Sequence, residues 1–346
     1  MKIRKSLKCS YIISPLRSFS VAGCLLWMSF SANFADAEQP EKAAKIAISP
    51  ECQTFYADRE QTFILKATDC VGKLLSWNMR YAGRTLASGE SAVPQSGEVK
   101  IKIKFPKLNE GVAAAIKFTV FIGKEVEREK DLFLFYPNPF AGSKKTFEEM
   151  NIGVWEAGGG KGLSALLKKV DLPFVEVADP VNFAGNVLLV SGLDFDENPG
   201  ISETLADLAE KGKKVVIIPP ISGSFANFAK KSNAVILRKN DRIKEFNKKF
   251  DTKNWNGAEI GEKTLRISQI DDTPSLKFVE KSEGFTFVEI RYEKGLDPGG
   301  EKKIHKTTQS VNYKMILITW NILKAAEKSP TPLYLLKNII GGRKNE

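Results

Sequence analysis

Residues 186–220, NVLLVSGLDFDENPGISETLADLAEKGKKVVIIPP, decide the fold. They read strand, loop, helix, strand. Residues 187–190 and 215–218 are uninterrupted apolar runs, the first ending in Ser191-Gly192 and the second in Pro219-Pro220. Between them Ile201, Leu205, Leu208 and Ala209 recur at helical spacing, and Gly212 stands where a helix end favours positive φ. Two continuous apolar strands joined by an amphipathic helix predict a parallel sheet buried on both faces. The chain therefore carries an α/β domain.

The same alternation extends on both sides. Residues 152–155 predict a strand, followed by Glu156-Ala157-Gly158-Gly159-Gly160-Lys161-Gly162, a helical stripe of Leu163, Leu166, Leu167 and Val170, and a strand at 174–177. Beyond residue 220 the pattern predicts a short helix near 225–231 and a strand at 234–237. Further strands follow at 265–267, 276–279, 285–291 and 314–319, and a closing helix at 333–340 after Pro330-Thr331-Pro332. The α/β domain is placed at 151–343.

Residues 45–137 read differently. Runs at 63–67, 75–79, 99–103, 115–121 and 132–135 are separated by turn-rich segments, and several alternate apolar with polar. Short strands with no helical stretch predict a β-sandwich of immunoglobulin-like size, with Trp77 as a core residue. Tyr136-Pro137-Asn138-Pro139-Phe140 ends it, and residues 138–150 form a linker with a short helix at 144–150.

The first 37 residues read as a secretory signal peptide. Lys2, Arg4, Lys5, Lys8 and Arg17 make a basic start, an apolar run follows at 19–30, and Ala35-Asp36-Ala37 is a small-x-small cleavage site. The run is short and serine-bearing for a membrane span. Val21-Ala22-Gly23-Cys24 has the form of a lipobox, but only residues 18–23 separate Arg17 from Cys24, and the apolar run continues past it; cleavage after Ala37 is preferred. The expected address is the periplasm or the exterior, with no membrane span after cleavage.

The whole sequence holds 52 Lys+Arg against 41 Asp+Glu. Removal of those five basic residues and Asp36 leaves 47 against 40, a net +7. Acids and bases are interspersed, as on a solvated surface, and no aromatic-studded or Arg-rich motif supports nucleic acid as a partner. Two cysteines remain of four, Cys52 and Cys70. In an exported chain they are expected to pair as a disulfide, closing about 19 residues, worth about 3 kcal/mol in the chain-entropy description.

Several constellations are candidates for chemistry. Glu156 and the glycines Gly158, Gly159 and Gly160 lie between a strand and a helix, where a phosphate cradle would lie. Walker A is excluded: Gly162 stands where Ser or Thr must hold magnesium, and Trp155 replaces the first glycine. G-x-G-x-x-G is excluded by Leu163. Asp194 and Asp196 belong to a loop that resembles a calcium loop only faintly, because Pro199 and Leu205 stand where glycine and glutamate are required. Asn198 or Ser202 is the expected helix cap there, with Pro199 starting the helix. The single histidine, His305, excludes a multi-histidine zinc site. Ser222-Gly223-Ser224 follows a strand, as a nucleophile would, but the G-x-S-x-G elbow is absent. No cofactor and no metal are expected.

The Gly192 turn, the segment Gly212-Lys213-Lys214-Val215-Val216-Ile217 and the closing Ser329-Pro330-Thr331-Pro332-Leu333-Tyr334-Leu335-Leu336 resemble the class I glutamine amidotransferase-like fold. That resemblance implies a flavodoxin-like three-layer domain. The family's cysteine nucleophile follows the strand corresponding to 215–218; here Pro219, Pro220, Ile221 and Ser222 stand there, and the domain contains no cysteine. The resemblance therefore implies a catalytically degenerate domain, of the kind joined to β-sandwiches in exported bacterial proteins. The expected role is non-catalytic binding or scaffolding, with envelope polysaccharide or another envelope protein as partner. The alternative is a hydrolase of polysaccharide using carboxylates near Glu156, Asp194 and Asp196. It requires those acids to converge in one cleft.

Overall fold

A computed structural model describes residues 46–227, 232–236, 249–251, 255, 266–269, 287–292 and 313–341. The signal segment, Cys24, His305 and the expected strand at 276–279 lie outside these. All described residues belong to one compact unit, Ala44–Glu346. Its architecture is mixed α/β and rich in sheet.

The first part is built from eight strands: β1 (Ala47–Ser49), β2 (Thr54–Tyr56), β3 (Glu60–Lys66), β4 (Leu74–Tyr81), β5 (Arg84–Ala92), β6 (Glu98–Lys104), β7 (Ala113–Ile122) and β8 (Glu125–Phe135). They form a three-stranded sheet, β1-β3-β6, and a five-stranded sheet, β2-β8-β7-β4-β5. The period of two in β6 shows why: Val99, Ile101 and Ile103 are buried, while Lys100, Lys102 and Lys104 are exposed. Phe63 and Leu65 of β3 join Phe55, Leu75, Phe118 and Leu134 of the other sheet in one core. Trp77 packs edge-on against Phe118, with Gly89 beneath its indole, where a Cβ would come within 2.9 Å of the ring.

No S–S bond joins Cys52 and Cys70. The expected disulfide is thus absent from the structure. Each cysteine instead packs as a small apolar residue in this core, 0% and 1% exposed.

After helix α1 (Lys144–Glu149), the strands β9 (Ile152–Glu156), β10 (Val175–Glu176), β11 (Val187–Ser191), β13 (Lys214–Ile217), β16 (Ser232–Ile236), β18 (Phe287–Tyr292) and β19 (Tyr313–Ile318) follow. Seven of these strands, all after α1, build one sheet in the order β10-β9-β11-β13-β19-β18-β16. The first five run parallel; β18 runs antiparallel to β19, and β16, antiparallel to β18, returns to the direction of the five. All five residues of β11 are buried, as its unbroken apolar run predicts. Val187, Leu189, Val216, Ile316 and Ile318 share a core with helices α2 (Gly162–Lys169), α4 (Ile322–Ala325) and α5 (Pro330–Gly341). Leu188, Val190, Val215, Ile217, Met315 and Leu317 share another with α3 (Ile201–Glu210). Helices therefore cover both faces of the sheet.

Two short paired ladders stand apart from it: β12 (Leu193–Asp194) with β14 (Ile221–Ser222), and β15 (Ser224–Asn227) with β17 (Arg266–Gln269). β15 corrects the helix expected near 225–231. Phe225 is fully buried against Phe195, and the segment gains backbone partners from β17 that outweigh its local helical spacing. α3 also begins differently from expectation. Gly200 is its cap, at φ +83°, a conformation glycine adopts without strain. Asn198 instead donates its carboxamide to the Asp194 carbonyl, 2.7 Å.

The two parts share a buried junction. Phe135, at the end of β8, packs against Phe250 and Tyr334 with ring centroids 4.8 and 5.1 Å away. The Tyr56 hydroxyl donates to the Ala326 carbonyl (2.6 Å), the Thr54 and Thr331 hydroxyls bond at 3.1 Å, and the Gln53 amide donates to Asp251 Oδ2 (2.9 Å). Lys337 donates to the Pro139 carbonyl, and Asn138 to that of Val170. Residues 138–150 are thus fastened to the α/β part, and Phe140 and Phe147 lie in its core. Among the described residues no helix is long and apolar enough to cross a membrane.

Candidate functional site

In an open α/β sheet ligands bind beyond the carboxyl ends of the strands, where the strand order reverses. Here the order reverses between β9 and β11, and the candidates Glu156, Gly158, Gly159, Gly160, Asp194 and Asp196 lie at or beyond the ends of these two strands. The question is whether that crevice is open and whether the acids face it together.

The backbone closes part of it. Ala157 N donates to Ser191 O at 2.9 Å, and a Cβ on Gly158 would stand 3.0 Å from Gly192 O. A Cβ there would crowd that carbonyl, so glycine suits the approach. Gly159 has φ +67° and turns the chain back toward α2.

Glu156, the last residue of β9, is turned into this loop. Its Oε1 accepts from Leu163 N (2.8 Å) and its Oε2 from Ser164 N (3.3 Å) and the Ser164 hydroxyl. The carboxylate thus satisfies the first amides of α2. It also places a negative charge at the positive end of the helix dipole. An anionic ligand at that helix start would meet a seat already held by an anion of the chain itself.

Asp194 and Asp196 have another task. Asp194 Oδ1 accepts from Asp196 N (2.9 Å) and Glu197 N (3.3 Å), and its Oδ2 from the Ser222 hydroxyl (2.6 Å). Asp196 Oδ1 accepts from Ser224 N at 3.0 Å. Leu193 N donates to Pro220 O, Phe195 N to Ser222 O, and the Ser191 hydroxyl to Pro219 O. Together these bonds staple the loop after β11 to the loop after β13. The bond from Ser222, with those from two backbone amides, holds the Asp194 carboxyl below its ordinary range. That direction opposes the role of a general base taking a proton from Ser222, which needs a pKa raised toward neutrality. In this arrangement the Ser222 hydroxyl donates one of the bonds that staple the two loops.

Glu156 thus bonds to the start of α2, and Asp194 and Asp196 bond to backbone and hydroxyl groups of the loops after β11 and β13. Among the described residues no group of three or more His, Cys, Asp or Glu side chains could hold a metal ion. Ser164 and Ser222, the donors that fix the two carboxylates, carry no motif. Their role depends on chain paths bridging eight and 28 residues, which only the folded chain brings together.

A cavity of about 410 Å³ opens elsewhere, at the amino end of β9 beside the edge strand β10. Phe147, Ile152, Pro173, Phe174 and Val175 supply its apolar lining, and Glu148 and Asn151 its polar groups. None of the sequence candidates lines it.

No family model and no curated protein matches the chain. Weak likenesses to solved structures occur. The fibronectin(III)-like modules of Clostridium thermocellum CbhA share 12% identity over 26% of this chain and 94% of theirs, with a TM-score of 0.19. WR4, an MSP family member of C. elegans, shares 14% over 27% of this chain and 98% of its own, at 0.19. The ASH / PapD-like domain of human CEP192 shares 14% over 27% and 85%, also at 0.19. Scores of this size carry no argument about family or function.

Proposed function

We propose that the chain is an exported, non-catalytic binding or scaffolding protein of the cell envelope. In this reading an immunoglobulin-like β-sandwich is joined to an amidotransferase-like α/β domain that lacks the family's nucleophile. One observation carries it: the acids at the carboxyl end of the parallel sheet accept hydrogen bonds from the chain itself, Glu156 from the start of α2 and Asp194 and Asp196 across the staple between the loops after β11 and β13. A polysaccharide hydrolase needs two carboxyls flanking one substrate bond. Supporting the fold assignment, strands counted in chain order within the large sheet run 2-1-3-4-7-6-5, and flavodoxin-like sheets begin 2-1-3-4. Two sheets over one core support the sandwich. Export rests on the basic, apolar and small-x-small pattern of residues 1–37.

The test is a thermal-shift panel of the purified protein with envelope glycans, nucleotides and divalent cations, followed by turnover assays on every glycan that binds. A ligand at 100 times its Kd adds about 2.7 kcal/mol of stability, readily seen as a shift. Binding without turnover is expected. Glycan turnover abolished by Asp194→Asn or Glu156→Gln would overturn the reading.

A further inference from the structure

We propose that the outer face of the β1-β3-β6 sheet binds a linear anionic polysaccharide through Lys100, Lys102 and Lys104. This goes beyond the role proposed above, because it concerns a different surface and holds for a catalytic or a non-catalytic chain alike.

β6 is an edge strand, and its three lysines occupy alternate positions on one face. A strand rises about 3.3–3.4 Å per residue, so the three ammonium groups start from points about 6.7 Å apart along one line. All three are exposed, and none makes an ion pair among the described residues. Register places Ile64 opposite Lys100, Thr62 opposite Lys102 and Glu60 opposite Lys104. Glu98, at the far end of the row, is taken up by Lys66 at 3.5 Å. The next strand adds Ser49 opposite Ile64 and Ala47 opposite Lys66. The row of cations thus runs beside a floor of small or uncharged side chains, with acids only at its two ends.

Edge lysines also deter strand addition, and that duty alone would explain one or two of them. Three in line, without an ion pair among the described residues and with Glu60 the one acid directly opposite, also offer charge complementarity to a polymer with regularly repeated anions. The rest of the face narrows the class. It carries no aromatic side chain, so nucleobases would gain no stacking platform. Its only large apolar residue, Ile64, is half-buried, so little apolar area is offered to a lipid boundary. A single line of charge fits a linear polyanion whose recognition is by charge.

The experiment measures binding of the purified full chain to polygalacturonate as salt is raised. It compares wild type with the triple variant Lys100→Gln/Lys102→Gln/Lys104→Gln and with a charge-matched variant, Lys145→Gln/Lys211→Gln/Lys324→Gln. Three neutralised charges, scaled as for a single-stranded polyanion, give a log–log salt slope of about −2, or about a twentyfold loss of affinity between 50 and 200 mM salt. The β6 variant is expected to bind at least tenfold more weakly at 50 mM, with a flatter slope, and the charge-matched variant like wild type. If the triple variant does not fold, Lys102→Gln alone is expected to remove about a third of the slope. Equal weakening by both triple variants overturns the proposal, as does a wild type that does not bind polygalacturonate at 50 mM. So does tighter binding to oligothymidylate or to vesicles of 30% phosphatidylserine in phosphatidylcholine than to polygalacturonate. None of these results bears on turnover, so this proposal and the non-catalytic reading fail separately.

Discussion

The junction between the two parts and the loops at the carboxyl end of the sheet both rest on side-chain hydrogen bonds, to different effect. At the junction, Tyr56, Thr54 and Thr331 are buried, and their hydrogen bonds close over distances of 270 and 277 residues. In the strand-end loops, Asp194 and Asp196 bond to neighbours at or near the surface. Glu156 is intermediate, half-buried against the start of α2. An unmade hydrogen bond is costly only where water cannot replace it. The junction is therefore held by bonds that cannot be surrendered cheaply, while the strand-end acids shape loops at modest energy.

The largest expected effect is at the junction. Phe135→Ala removes a ring that is 2% exposed and packed at a tilt against Phe250 and Tyr334, and should cost about 3–5 kcal/mol. Urea unfolding should show one transition moved as a whole. Two separated transitions, with only one of them moved, would break the comparison, because the junction would then not couple the two parts.

Tyr56→Phe comes next. It leaves the Ala326 carbonyl without its 2.6 Å donor and should cost about 1–3 kcal/mol. The junction also has an alkaline signature. Burial pushes the Tyr56 phenol up, and that of Tyr334 up to about 12. A group whose folded pKa is raised contributes stability fully present below its unfolded value, here about 10, and lost as pH rises through the folded value. Unfolding free energy should therefore fall above pH 10, and Tyr56→Phe should flatten the fall. Lys130 and Lys337, held down by burial, act with the opposite sign in the range below 10.5. An equally steep fall in Tyr56→Phe would remove Tyr56 from the account.

Glu156→Ala should cost about 0.5–2 kcal/mol, the range for a lost helix cap. Ser222→Ala should cost least, under about 1 kcal/mol, because the bond it removes is exposed. Its sharper readout is a titration of the Asp194 carboxyl by NMR. Loss of the first cause of its depression should move it upward. No movement would mean that the backbone amides alone hold it.

Much of the frame was legible in the sequence because it rests on local periodicity. The apolar runs at 187–190 and 215–218 became buried parallel neighbours, in register from Val187–Lys214 to Val190–Ile217. The alternation of residues 98–104 became an edge strand with one face buried. What was not legible depends on distant partners. β15 read as helix because its strand partner, β17, lies about 40 residues on. The Cys52–Cys70 pairing was inferred from an expected compartment, whereas the structure packs both side chains as core. The candidate acids lie at or just beyond the strand ends, but the partners that hold them were not legible. Whether Glu156 faces a ligand or its own helix turns on the path of Gly158 and Gly159, which no composition reveals.

The central claim is that Glu156 serves as an internal anion at the glycine loop, so the loop is no ligand cradle. The direct test is urea unfolding of wild type and Glu156→Ala in chloride, acetate and phosphate at matched ionic strength. General salt effects act on both proteins, so the difference between them is the readout. Glu156→Ala is expected to be the less stable in chloride, with acetate or phosphate narrowing the gap by refilling the vacated seat. A variant as stable as wild type in chloride, together with a wild type that gains more from phosphate than the variant does, would contradict it.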